Sequence, residues 1–102
     1  KHLLVMYAGS MRAPAHITRS KTEALQRAIE ARRKLTNGAD FGDIVTQYSD
    51  EPGAAQRGGD VGTFPKGAMI PEFQQGVENT PVGSISTIVE SPFGYHIILR
   101  TK

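Results

Sequence analysis

The sequence predicts an α+β domain in which helices surround a four-stranded, mostly antiparallel sheet, in the order β-α-α-β-α-β-β. Three observations predict this class. An apolar, strand-like segment opens the chain, two capped helical segments follow it, and two strand-like segments joined by a short turn close it. The chain has 102 residues and no internal repeat, linker or low-complexity tract. We therefore expect residues 1–102 to form a single domain.

The first element is a strand followed by a loop. Residues 2–7 form a short apolar segment with an aromatic end, which is typical of a buried strand. Residues 8–19 contain Gly9, Pro14 and several polar side chains, so we expect them to form a loop.

Two helices are predicted after this loop. Ser20 and Glu23 have the spacing of a capping box, and Asn37-Gly38 is expected to end that helix. Asp40 is the expected N-cap of the second helix. The apolar residues at helical spacing are Ala24, Leu25, Ala28, Ile29 and Leu35 in the first helix, and Phe41, Ile44, Val45 and Tyr48 in the second.

The second half of the chain supplies the remaining elements. Residues 49–59 are polar and contain Gly and Pro, which predicts a loop, and a short strand is predicted at 61–64. Pro71 suits the first position of a third helix, which ends before Pro81. The last two strands are predicted at 85–90 and 95–100, with a hairpin loop at 91–94 between them.

The composition excludes several kinds of chemistry. The chain has no Cys, so disulfides and thiolate nucleophiles are excluded. His2, His16 and His96 lie far apart and have no ligand spacing, so we expect no metal site. The glycines at 58–62 precede a predicted strand rather than a helix, which argues against a phosphate-binding loop.

Sequence features that would set the location are sparse. No apolar run approaches the roughly 18 residues of a membrane span, so we expect no membrane contact by this domain. No signal peptide is visible, and an opening on a strand suggests a domain taken from a longer protein. The compartment is therefore open, with a soluble cytoplasmic location slightly favoured, and we expect a monomer.

The charge is unevenly spread along the chain. Residues 1–36 hold eight Lys and Arg against two Glu, whereas residues 37–102 hold four against eight Asp and Glu. A solvated helix face is the ordinary interpretation, and a surface for nucleic acid or another acidic partner is the alternative. That surface would consist of Arg12, Arg19, Arg27, Arg32, Arg33 and Lys34. Because no aromatic side chains interleave these residues, we do not expect nucleic acid as a partner.

Two histidines occupy the two end strands. Side chains alternate between faces along a strand, so His2 shares a face with Leu4, and His96 shares a face with Ile98. A single strand histidine is more often structural than catalytic. If the first and last strands are neighbours, however, the two imidazoles can hydrogen-bond across the sheet and fix each other's tautomer.

An apolar trio could accompany these histidines. Val61, Met69 and Phe73 need no functional explanation if they are core residues. If they face the two histidines, they form a small apolar pocket beside polar groups, which is the general design of a small-ligand site. A proline ring would fit such a pocket.

Several segments together resemble the parvulin family of peptidyl-prolyl cis/trans isomerases, along essentially the whole chain. They are HLLV (2–5), YSDEP (48–52), RGGDVG (57–62), MIPEF (69–73) and FGYHII (93–98). Each segment alone is a weak signal, whereas all of them in this order and spacing are highly specific. The resemblance implies the parvulin/FKBP-like fold.

The resemblance also implies a set of site residues. It places His2 and His96 as paired histidines at the centre of the site. Glu51 falls where relatives carry Cys or Asp, and Ser91 falls where a relative has a hydroxyl that bonds to the histidines. The residues implied to hold the proline ring are Val61, Met69 and Phe73.

One departure from the family concerns phosphate. Eukaryotic members that act on phosphoserine or phosphothreonine before proline carry a basic cluster after the first strand. Two of those basic positions correspond to Met6 and Met11 here, and Arg12 remains as a substrate-binding residue. Strong phosphate sites usually combine several donors, so we do not expect dependence on phosphate.

The predicted function is therefore acceleration of X-Pro peptide bond rotation in proline-containing peptides or proteins. The reaction breaks no covalent bond, so it needs no nucleophile, metal or cofactor. Glu51 would lie near the substrate carbonyl, where it either repels carbonyl charge as a carboxylate or is protonated. The alternative is a chaperone-like module that binds proline-containing or unfolded segments without accelerating their isomerisation.

Overall fold

The computed structural model describes residues 1–11, 13–50 and 71–100, and this part of the chain has an α+β fold. The helices are α1 (Lys21–Thr36), α2 (Phe41–Tyr48) and α3 (Pro71–Glu78), and the strands are β1 (His2–Val5), β2 (Val89–Ser91) and β3 (Gly94–Ile98). The predicted α+β class is confirmed, whereas the four-stranded sheet and the full element order stay predictions. The strand predicted at 61–64, and with it the fourth strand of the sheet, lies outside the described residues.

The sheet joins the two ends of the chain. Within the described residues it has three strands in the order β1-β3-β2, and both pairs are antiparallel. The register places His2 opposite Ile98 and Leu4 opposite His96. The last strand is therefore central, and the first strand lies directly beside it.

The strand ends differ from the sequence prediction. β1 ends at Val5 rather than at residue 7, and the backbone of Met6 bonds to the side chains of Asp50 and Arg19. In the predicted strand 85–90, only the last two residues belong to β2, and Ile85 makes an isolated bridge to Leu99. These ends depend on distant partners, which local sequence does not reveal.

Helix α1 begins as its capping box predicts. The Ser20 Oγ accepts from the backbone N–H of Glu23 at 3.1 Å, and the Ser20 N–H donates to the Glu23 carboxylate at 2.7 Å. The buried stripe of the helix is Ala24, Ala28, Ala31 and Leu35. Ile29, which belongs to the predicted apolar set, is 41% exposed because it lies about 100° around the helix from Ala28.

Helix α2 follows its prediction throughout. The Asp40 carboxylate accepts from the backbone N–H of Asp43 at 3.2 Å and caps the helix. All the residues of the predicted apolar face are buried, namely Phe41, Ile44, Val45 and Tyr48.

The two faces of the sheet have different surroundings. Leu3, Val5, Tyr95 and Ile97 belong to the main core, together with the buried residues of α1 and α2. The opposite face carries His2, Leu4, His96 and Ile98, because side chains alternate along β1 and β3. Helix α3 packs on this second face.

Two glycines allow close packing around the second face. A Cβ on Gly76 of α3 would lie 2.7 Å from Val89 Cγ2 and 3.0 Å from Ile98 Cδ1, so only glycine lets the helix approach this closely. Gly94 has φ of +139°, and a Cβ there would collide with the backbone oxygen of Val5. The start of β3, two residues before His96, can therefore lie this close to β1 only with glycine at position 94.

Candidate active site

Two buried imidazoles lie together on the second face of the sheet. The ring centroids of His2 and His96 are 5.4 Å apart and the ring planes are inclined by 31°. The exposed fractions of the two residues are 6% and 4%. Because Leu4 lies opposite His96 in the register, the two histidines are diagonal neighbours across the strand pair. The structure thus brings together the two histidines that strand alternation placed on matching faces.

A buried hydroxyl completes this polar group. The Ser91 Oγ lies 2.6 Å from His96 Nε2, and it also accepts from the backbone N–H of Phe93 at 3.2 Å. Ser91 ends β2 and pairs with Gly94 at the start of β3, so the tight hairpin sets its position. Because the backbone amide already occupies one lone pair of the hydroxyl oxygen, the hydroxyl proton can point at the imidazole.

Burial keeps the His96 imidazole neutral. The removal of solvent from the ring lowers the pKa of His96 from 6.5 to about 4, since the charged form loses its hydration. At neutral pH the ring therefore has one N–H donor and one acceptor nitrogen. A neutral imidazole can hold a fixed hydrogen-bond direction in this site.

A second apolar cluster includes Leu4, which shares the strand face of His2. Leu4, Met6 and Ile17 form a small buried cluster, and Ala13 and Phe93 pack against it. The backbone N–H of Met11 donates to the Pro92 oxygen at 2.8 Å, which ties the loop after β1 to the hairpin loop. Met6 is therefore a packing residue, while Met11 is 52% exposed.

Other predicted site residues lie outside the described part of the chain. Arg12, Glu51, Val61 and Met69 belong to the residues that the structure does not describe. Phe73 lies within α3, whose backbone is described although this side chain is not. Their roles stay predictions.

Sequence reasoning missed an ion pair at the opposite edge of β1. Arg19 Nη1 lies 2.6 Å from Asp50 Oδ2, and the two side chains are 24% and 11% exposed. The residues are far apart in sequence, so no local pattern links them. The closest signal was that Asp50 belongs to one of the segments that resemble the parvulin family.

The basic residues of the first half are largely used inside the chain. Arg19 pairs with Asp50, and Arg27 donates to the Gln47 oxygen at 2.8 Å. Arg32 Nε donates to the Ser86 oxygen at 2.9 Å. These three arginines therefore have partners within the chain, and their presence does not by itself indicate a binding surface for nucleic acid.

A groove elsewhere on the domain does not contain the histidines. It lies between α3 and residues 85–90, has a volume of about 460 Å³, and includes Gln75, Asn79, Thr87 and Glu90 in its lining. Neither imidazole contributes to that lining. We place the candidate active site at the histidine pair, because that is where the buried imidazoles and the Ser91 hydroxyl come together.

Comparison with known proteins decides the family. Residues 1–101 match the family model of the PPIC-type PPIase domain. The chain belongs to this family. The predicted parvulin-type peptidyl-prolyl isomerase domain is thereby confirmed.

Solved structures of PPIase proteins share the fold of this PPIase domain. Peptidyl-prolyl isomerase ESS1 from Candida albicans superposes with a TM-score of 0.87 at 33% identity, over 99% of this chain and 60% of that chain. The peptidylprolyl isomerase PrsA from Bacillus anthracis superposes with a TM-score of 0.73 at 36% identity, over 96% of this chain and 37% of that chain.

Curated relatives of the PPIase domain are longer proteins. The chaperone SurA of Alcanivorax borkumensis is 42% identical over 80 residues, which are 78% of this chain and 18% of that protein. Foldase protein PrsA 4 of Bacillus cereus is 42% identical over 74 residues, which are 72% of this chain and 26% of that protein. The matched region is thus about a fifth to a quarter of these relatives.

The described part of the chain offers neither a metal cluster nor a membrane helix. In residues 1–11, 13–50 and 71–100, no group of three or more His, Cys, Asp or Glu side chains is arranged to hold a metal ion. Among the helices of that same part of the chain, none is long and apolar enough to cross a bilayer.

Proposed function

We propose that this PPIase domain accelerates X-Pro bond rotation in protein substrates without a covalent step, and that His2, His96 and Ser91 form the polar floor of its active site. The observation that carries this proposal is the pair of buried imidazoles 5.4 Å apart, one of them bonded to a buried hydroxyl. The membership of the chain in the PPIase family supports it.

The energetic problem is the loss of amide resonance. Rotation about a peptide bond has a barrier of about 18–20 kcal/mol, and uncatalysed X-Pro exchange takes tens to hundreds of seconds. The enzyme must bind the twisted amide more tightly than either planar isomer. No covalent bond is made or broken. The site therefore needs only a pocket that holds the proline ring and a fixed polar network near the carbonyl.

Ser91 and His96 supply the fixed network. When the Ser91 hydroxyl is the donor to His96 Nε2, His96 carries its proton on Nδ1 and has one defined donor direction. His2 packs against that ring and limits its rotation. This arrangement needs no change in protonation during the reaction, which agrees with the lowered pKa of His96.

The proline pocket and a carboxylate complete the proposed site. Val61, Met69 and Phe73 hold the proline ring, and α3, which carries Phe73, packs on the histidine face through Gly76. Glu51 lies near the substrate carbonyl, where it shapes the local field.

Assays of X-Pro peptide isomerisation test this site directly. His2→Ala, His96→Leu and Phe73→Ala are each expected to lower kcat/KM, and Arg33→Gln is the control because Arg33 is exposed on the far side of α1 from the core. Full activity in the folded Phe73→Ala variant would remove the proline pocket from the proposal, and full activity in both histidine variants would remove the network.

Phosphate is not expected to be required by this domain. Met6, at one of the positions where phosphate-directed relatives are basic, is buried in the apolar cluster. Arg12 remains as a single substrate-binding cation, and one cation gives a weaker phosphate site than several. A panel of Ala-Pro, Glu-Pro and phosphoSer-Pro peptides tests this: kcat/KM for the phosphopeptide should stay within about tenfold of the Glu-Pro value.

A binding module is the second candidate, because the curated relatives include a protein named as a chaperone and proteins named as foldases. In that case the domain would hold proline-containing segments within a longer protein. Titration of an unfolded protein, combined with an isomerisation assay, separates the two: binding without rate enhancement favours the module. Sedimentation of the domain tests the expected monomer.

A further inference from the structure

The outer edge of β1 is closed by groups that come from two distant parts of the chain. β1 bonds to β3 along one edge, and the backbone of Leu4 and Met6 points to the other. Ser49 Oγ accepts from the Leu4 N–H at 3.2 Å, and the Asp50 N–H donates to the Leu4 oxygen at 2.7 Å. Residues 49–50 therefore replace part of a neighbouring strand.

One carboxylate oxygen of Asp50 extends this replacement. Asp50 Oδ2 accepts from the Met6 N–H at 2.9 Å and from Arg19 Nη1 at 2.6 Å. The same Nη1 donates to the Met6 oxygen at 3.0 Å. The four outward backbone groups of Leu4 and Met6 are thus all bonded, and the Arg19–Asp50 pair accounts for the two on Met6.

Arg19 itself is held by rigid neighbours. Its backbone oxygen accepts from the Ala8 N–H at 2.9 Å, and the next residue, Ser20, is the N-cap of α1. The side chain is 24% exposed and Asp50 is 11% exposed, so solvent screens this pair less than it screens a surface ion pair. Arg19 therefore acts as a fixed point between α1, β1 and the end of α2.

Asp50, the partner of Arg19, also bonds to the backbone of Leu4, which lies opposite His96 in the strand pair. Because Leu4 directs its backbone groups outward, Leu4 and His96 form a non-hydrogen-bonded pair, the closer kind in an antiparallel ladder. A shift of β1 at Leu4 thus changes the contact with His96, and it moves His2 on the same strand. Asp50 also immediately precedes Glu51 in sequence, so a shift of residue 50 moves the point from which residue 51 begins.

We propose that Arg19 is a positioning residue for the isomerase reaction, which acts through Asp50 to hold β1 and the end of α2 in the arrangement that the histidine pair requires. The inference rests on the proposed function of the histidine site. It assigns Arg19 an internal role, whereas a phosphate-binding role would require its guanidinium to be free for substrate.

Kinetics of matched variants test the assignment in the full chain. Arg19→Gln should lower kcat/KM for an Ala-Pro peptide by about tenfold, mainly through kcat, because a small displacement of an active-site group is costly. Arg19→Lys should restore most of the activity, since one ammonium can donate to both Asp50 Oδ2 and the Met6 oxygen. Arg33→Gln removes the same charge elsewhere and should stay within about twofold.

Two readouts separate positioning from a loss of stability. Assays at 10 °C, with the folded fraction of each variant measured by circular dichroism, correct the rates for unfolded protein. The ring proton NMR shifts of His2 and His96 should change in Arg19→Gln and not in Arg33→Gln. A folded Arg19→Gln variant with wild-type kcat/KM and unchanged ring shifts would overturn the proposal.

The Asp50→Asn variant covers the case in which Arg19→Gln does not fold. The introduced amide would keep an oxygen for the Met6 N–H and lose the charge that pairs with Arg19. Its kcat/KM should fall by itself, and a folded Asp50→Asn variant with wild-type kcat/KM would overturn the proposal. Where Arg19→Gln also folds, adding it to Asp50→Asn should cost less than it does alone, because both act through one contact. Independent, multiplicative losses would contradict the coupling. An inactive wild-type domain would instead contradict the proposed function itself, which keeps the two failures distinct.

Discussion

Acidification from pH 7 to pH 4 should destabilise this domain by about 3 kcal/mol through His96 alone. The folded state keeps this imidazole neutral, with a pKa lowered to about 4 by burial, whereas the unfolded chain has the ordinary value of 6.5. Between these two values the unfolded state binds a proton that the folded state does not. Stability is therefore fully present above pH 6.5 and falls as the pH drops toward 4.

The magnitude follows from the difference between those two pKa values. One pKa unit corresponds to about 1.4 kcal/mol, and 6.5 against about 4 gives about 3 kcal/mol at most. Three exposed carboxylates, Glu23, Glu30 and Glu90, have pKa values lowered chiefly by hydrogen bonds. Their contribution is lost only below the ordinary Glu pKa of 4.5, so it overlaps little with the histidine window.

Urea unfolding at pH 7, 6, 5 and 4 provides the assay, with the wild type compared to His96→Gln. The stability difference between the two proteins should shrink by about 3 kcal/mol over that range, because the variant has no imidazole at this position to titrate. His16→Gln is the matched control, since His16 is exposed. An equal wild-type to His96→Gln difference at pH 7 and pH 4 would refute the reasoning.

Three further substitutions probe the site and its support. Ser91→Ala should cost about 1–3 kcal/mol in urea unfolding and lower kcat/KM, because it leaves the buried His96 Nε2 without this hydroxyl; unchanged activity would show that the bond has no catalytic role. Gly76→Ala should cost about 1–3 kcal/mol through overpacking, whereas its exposed neighbour Gln75→Ala should be nearly neutral, and equal effects of the two would contradict the close helix approach. Gly94→Ala should prevent normal folding by circular dichroism, since its φ of +139° and the adjacent β1 backbone exclude a Cβ, and a native-like spectrum would count against this geometry.

Helix positions could be predicted from the sequence because their determinants are local. The capping pair Ser20 and Glu23 lies within one turn, and it forms the bonds that its spacing predicts. The apolar face of α2 also follows from spacing alone, since all its members are buried. Ile29 shows the limit of this reasoning, because an apolar residue next to the buried stripe remains exposed when no element covers it.

The site could be predicted in part, for a related reason. Alternation along a strand places His2 and His96 on matching faces, while their 5.4 Å approach also requires the pairing of the first strand with the last. Sequence alone left that pairing conditional, and the family resemblance supplied it. The Arg19–Asp50 pair could not be predicted, because it depends on how α2 delivers Asp50 to the edge of β1.

The central place of β3 in the sheet has a consequence for synthesis of the protein. Residues 94–98 leave the ribosome after every other described strand, yet both β1 and β2 pair with them. Helix α1 can form early from local bonds, but β1 must wait for a partner that lies 90 or more residues away along the chain. The two imidazoles therefore cannot meet before β3 has been synthesised, and a nascent chain that lacks β3 has no assembled histidine pair.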